Sequence, residues 1–77
     1  MKTVNLSDIE AVSRGELSSV KLDALENSYD SFEHQLNSSS DPIAVSCGSK
    51  PYRITNGRHR VYLARQKGYS TVNVRCL

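Results

Sequence analysis

Tyr52-Arg53-Ile54-Thr55-Asn56-Gly57-Arg58-His59-Arg60-Val61-Tyr62-Leu63-Ala64-Arg65-Gln66-Lys67-Gly68 joins two kinds of local pattern. Tyr52 and Ile54 alternate with polar neighbours, as in a strand. Residues 58–67 then read as a helix that stops at Gly68, a residue suited to the left-handed position past a helix end. A strand that turns through glycine into a helix aims several N–H groups outward from one point, where the helix dipole adds partial positive charge. Asn56, Gly57, Arg58, His59 and Arg60 occupy that point, with Asn56 as the expected cap. Two guanidinium groups and an imidazole strengthen the preference for an anion, above all phosphate, which arginine grips as a fork.

Outward from this stretch, Gly48-Ser49-Lys50-Pro51 is a turn, and Pro42 opens the preceding strand through Ile43, Val45 and Cys47. The two strands form a hairpin. Further upstream, Leu22, Leu25, Tyr29, Phe32 and Leu36 recur every three or four residues, which predicts one helix from residue 20 to 35 or 36. Ser18 or Ser19 caps it, and Asp23, Glu26, Asp30 and Glu33 lie on its other sides. Val4 and Leu6 suggest a short first strand, residues 7–10 a turn or single helical turn, and residues 11–19 an irregular connection. Residues 71–76 alternate as a closing strand. The expected order is β-α-β-β-α-β: one α+β domain over residues 1–77, with both helices packed on a small mixed sheet.

Seventy-seven residues, 38% of them hydrophobic and none tryptophan, allow only a thin core of Val, Leu and Ile. No run is long enough for a membrane span, and the start shows no apolar signal region, so a cytoplasmic protein is expected. Cys47 and Cys76 are then expected as reduced, buried small hydrophobes, with a disulfide between them as the alternative if the chain is exported. With His34 and His59 they show no paired ligand spacing, and no metal site is expected from them. Charge is sharply divided. Residues 1–49 carry three Lys or Arg against eight Asp or Glu, whereas residues 50–77 carry seven Lys or Arg and no acid. Either the second half is a polyanion-binding surface, with Lys50, Arg53 and Arg65 extending it, or the halves neutralise each other in the fold.

Residues 52–74, with their Gly57-Arg58-His59-Arg60 box, helix, glycine and closing strand, resemble the core of the ParB/sulfiredoxin superfamily. Leu25-Glu26-Asn27-Ser28 and Asp41-Pro42-Ile43-Ala44-Val45 are similar to that family's upstream helix and strand. The resemblance implies a nucleotide-binding fold with CTP or ATP and Mg²⁺ as candidate cofactors. Gly57, Arg58, His59 and Arg60 would form the phosphate cradle, and Ser28, Pro42 and Ile43 the pocket rim. Arg58 stands where the sulfinic acid reductases of the superfamily have cysteine, which argues against that activity. An arginine there also removes the carboxylate that phosphotransfer would use.

The leading expectation is therefore a module that captures a nucleotide, DNA or RNA through phosphate. A second is a small nuclease or nucleotide-consuming toxin with His59 as catalytic proton carrier. The carboxylates for its metal or base would come from Glu26, Asp30 and Glu33. A third is a non-catalytic inhibitor that offers its acidic first helix to a basic protein partner.

Overall fold

Alternation builds the sheet. Val4, Ile43, Val45, Ile54, Val72 and Val74 are buried, while Thr3, Arg53, Thr55 and Arg75 are exposed. The computed structural model of the chain describes residues 1–27 and 32–77. Its strands are β1 (Lys2–Asn5), β2 (Ile43–Ser46), β3 (Arg53–Asn56) and β4 (Thr71–Cys76), in the spatial order β1-β4-β2-β3. β2 and β3 form the expected antiparallel hairpin, β1 and β4 pair antiparallel, and β2 runs parallel to β4. Parallel neighbours need a crossover. It runs through β3 and the helix α3 (Arg58–Gln66), whose Val61 and Ala64 pack into the same cluster as the sheet residues. Ile43, Val45, Val61 and Val74 are fully enclosed, each contributing roughly 1.5–3 kcal/mol through burial.

The upstream helix differs from the expectation. It consists of α1 (Ser19–Glu26) and, separately, α2 (Phe32–Leu36). Asn27 closes α1 with φ −105° and ψ 13°, and its Nδ2 donates to the Asp23 carbonyl at 2.9 Å. Asparagine competes in this way with the helix's own ladder, which the apolar spacing does not register. Asn37 does the same after α2, donating to the Glu33 carbonyl at 3.0 Å. Ser18 is the cap of α1, accepting from the Lys21 N–H. α1 packs chiefly on α3, not on the sheet as expected. The first strand ends at Asn5, and Leu6–Asp8 forms the expected single turn, of 3₁₀ type.

The outer edge of β3 is closed by the chain itself. Tyr52 N–H donates to the Asp8 carbonyl and Glu10 N–H to the Tyr52 carbonyl, at 2.8 and 2.9 Å. Beyond them the Glu10 carboxylate accepts from Ile54 N–H at 2.6 Å, and the Arg58 guanidinium donates to the Ile54 carbonyl at 3.3 Å. Two charged side chains thus stand in for a neighbouring strand and blunt the edge. Among the described residues, no helix is long and apolar enough to cross a membrane.

The cysteines are also not as expected. The β2–β4 register sets Val45 opposite Cys76, which brings Cys47 and Cys76 to a Cα separation of 5.4 Å in a disulfide. Cysteines 29 residues apart do not choose between reduced and bonded by spacing alone, because the parallel register is what brings them together. Such bonds persist in oxidising compartments and are reduced by thiol buffers elsewhere. Thiol titration without reductant should find no free cysteine. Reduction should lower the unfolding free energy by about 3.5 kcal/mol, the loop-entropy value for this separation, seen as a lower urea midpoint. An unchanged midpoint after reduction would remove the bond from the account of stability.

Candidate functional site

Gly57 makes the junction between β3 and α3 possible. It sits in the left-handed region at φ 96°, and a Cβ there would lie 2.9 Å from Ile43 Cγ1. Glycine alone permits both the conformation and the close approach. Gly57, not Asn56, is the cap residue of α3, and no side-chain cap bond is made there. The Asn56 amide instead donates to Asp41 Oδ1 at 2.8 Å and to the Pro42 carbonyl at 2.9 Å, which ties β3 to the start of β2. Ile43, expected at the pocket rim, is fully buried beneath the glycine. Pro42 is half-buried, and Ser28 lies outside the described residues, as do Tyr29 and Asp30.

The arginines are largely spent on the chain itself. Arg60 is buried, and its Nη1 donates to the carbonyls of Gln35 (3.2 Å) and Asp41 (2.6 Å). The Asp41 carboxylate lies 3.7 Å from its Nη2. Arg65 donates to the carbonyls of Leu6, Ile9 and Glu10 at 2.7–3.1 Å, bracing the segment that follows β1. Arg58 lies 3.9 Å from Glu10 and 4.0 Å from Glu16, and Lys50 lies 3.3 Å from Asp8. Each of these ion pairs joins the basic half to the acidic half, so the halves do neutralise each other at these positions. Arg53 is exposed and has no partner among the described residues.

His59 faces the other way. Its Nε2 accepts the N–H of Ser18 at 3.1 Å, linking the start of α3 to the cap of α1. Its pKa lies below the ordinary 6.5, first because burial disfavours the charged ring and second because Lys21 repels it. The ring is neutral at pH 7, and with Nε2 accepting, the proton resides on Nδ1. His59 can therefore offer a donor to a ligand, while the lone pair that a general base needs is occupied.

Between α1 and α3 lies a cleft of about 290 Å³ lined by Lys21, Ala24, Leu25, Asn56, Gly57, His59 and Arg60. It gathers four of the five residues expected to hold phosphate and excludes Arg58. Lys21, Ala24 and Leu25 were not legible as site residues, because only the packing of α1 on α3 brings them there. Among the described residues no group of three His, Cys, Asp or Glu side chains is placed to hold a metal.

Two substitutions test this assignment of roles. Arg65→Ala removes three hydrogen bonds to backbone carbonyls, of which that of Leu6 keeps the Ile9 N–H, and should cost about 3 kcal/mol of stability in urea unfolding. An unaltered midpoint would return Arg65 to the surface. Gly57→Ala should cost about 2 kcal/mol through the left-handed backbone and the clash with Ile43; tolerance without loss would contradict the close approach.

Comparison with protein-family models, with curated proteins and with solved structures returns no match to this chain, so the chemistry of the cleft rests on its own geometry.

Proposed function

We propose that the chain is a phosphate-directed binding module that takes a nucleoside phosphate, such as CTP or ATP, into the cleft between α1 and α3. The observation that carries this reading is the first turn of α3. It has no side-chain cap and lines the same cleft as the Lys21 ammonium. Unclaimed helix-start amides and a neighbouring cation favour a phosphate group. The His59 Nδ1–H supplies a further donor, and the aliphatic atoms of Ala24 and Leu25 suit the flatter, less polar part of a nucleotide. The order strand, helix, hairpin, helix, strand, with the glycine box between β3 and α3, supports grouping the fold with the ParB/sulfiredoxin superfamily. Mg²⁺ would enter on the nucleotide's own phosphates, where carboxylates are few and phosphates many.

Within this reading Arg60 shapes the cleft wall without gripping the ligand, since carbonyls and Asp41 hold its guanidinium. A mononucleotide is favoured over DNA or RNA because Lys50 and Arg65 are occupied, which leaves Arg53 alone of the expected nucleic-acid surface. Binding is favoured over turnover because the accepting nitrogen of His59 is engaged.

Calorimetric titration with CTP, ATP, inorganic phosphate and a short single-stranded DNA, with and without Mg²⁺ and at two salt concentrations, tests the proposal. Saturable nucleotide binding with a mild salt dependence is expected, since few phosphates are neutralised. Lys21→Ala should weaken it by about tenfold, the worth of one hydrogen bond to a charged group. Arg53→Ala should leave it unchanged. Absence of saturable nucleotide binding, or loss through Arg53 instead of Lys21, overturns the reading.

A further inference from the structure

We propose that the Ser18 N–H···His59 Nε2 hydrogen bond is a proton-operated latch that keeps α1 closed over the cleft at neutral pH and releases it in acid. The bond itself is a property of the fold; its consequence for a ligand rests on the cleft site proposed above.

Among the described residues α1 is held by its packing on α3 through Leu22 and by polar contacts at its first turn. It is eight residues long, too short to be stable as an isolated helix. Leu22 is buried and Leu25 half-buried, whereas Val20 is 78% exposed. Ser18 caps the helix through Oγ to Lys21 N–H, and the backbone N–H of the same residue donates to His59 at 3.1 Å. The Arg14 guanidinium also donates to Ser19 Oγ at 3.4 Å, and His59 is the α3 side chain bonded to the end of α1 from which the Lys21 wall of the cleft starts.

The latch cannot survive protonation. Once Nε2 carries a hydrogen it has no lone pair, and two donors face each other. The charged groups around the ring add to the effect. Lys21 of α1 is cationic, and Arg58 and Arg60 flank His59 on its own helix. From the preceding turn, Glu16 is taken by Arg58 and by the Ser13 N–H. Asp41, before β2, is directed at Arg60. The ring also lies in the first turn of α3 and against the first turn of α1, and both helix starts carry partial positive charge. Burial and Lys21 hold the pKa below 6.5. The folded form with a closed latch thus binds fewer protons than the open form. Closure weakens as pH falls through the ordinary histidine range, and the loss is complete below the folded-state value.

The test needs no ligand, so failure of the nucleotide reading and failure of the latch are separable. Hydrogen exchange of backbone amides is followed by NMR on the full chain at about pH 7.5 and about pH 5, spanning the histidine range, with intrinsic rates corrected. The amides of residues 22–26 should lose protection in acid. Those of β4 and the second half of α3 should not. In His59→Gln the carboxamide oxygen can still accept from Ser18, so the acid step should vanish. Nitrogen-15 shifts of His59 in the unmodified chain should show the Nδ1–H tautomer at neutral pH. Protection of residues 22–26 that ignores pH, the same step in His59→Gln, or an Nε2–H tautomer each overturns the latch.

Discussion

The descent of the Gly57 backbone onto Ile43 is the contact on which the rest of this structure depends. It lets α3 leave β3 at once and lie back across β2, so that Val61 and Ala64 reach the buried face of the sheet. A side chain at this position would lift the helix start off β2. The parallel pairing of β2 with β4 follows from the same approach, since β4 is delivered by α3. The disulfide follows from that pairing, and so does the placing of His59 opposite the cap of α1. One residue without a Cβ therefore sets the crossover, the covalent tie and the cleft.

A thin core leaves a second problem, which the arginines address. The chain has long irregular connections whose carbonyls are neither in helices nor in the sheet, and buried polar groups need partners. Arg65 reaches the carbonyls of Ile9 and Glu10, and that of Leu6 in the 3₁₀ turn before them. Arg60 reaches the Gln35 carbonyl in the last turn of α2, where a cation also suits the helix dipole, and the Asp41 carbonyl beyond it. Guanidinium groups do here what a larger hydrophobic core would do in a longer chain. Arg60, Arg58 and Lys50 are also matched by acids from the other half of the sequence, so a strongly divided charge pattern is partly neutralised within the fold.

Most elements could be read from the chain because their causes are local. Alternation around Val4, Ile54 and Val72 gives strands whichever neighbours they find, the apolar run Ile43-Ala44-Val45 gives the central one, and Gly68 ends α3 by its own conformational freedom at φ 84°. The region of residues 20–36 was misread for a reason just as local. Its apolar spacing is helical throughout, but Asn27 offers its side chain to the helix's own carbonyl and closes α1. Periodicity reports which face is apolar, whereas the competing hydrogen bond decides where the ladder stops.

What the sequence determined by itself is the four strands, the mixed α+β character and the point where a strand gives way to a helix through glycine. These rest on backbone preference and on apolar residues recurring within one or two turns. What only the tertiary structure decided is which charges are spent. Arg60 and Arg65 find carbonyls 19 to 59 residues away, His59 finds an amide 41 residues away, and Cys47 finds Cys76. A long polar side chain has no preferred partner along the chain, and its role is settled by the groups that folding brings within hydrogen-bonding distance.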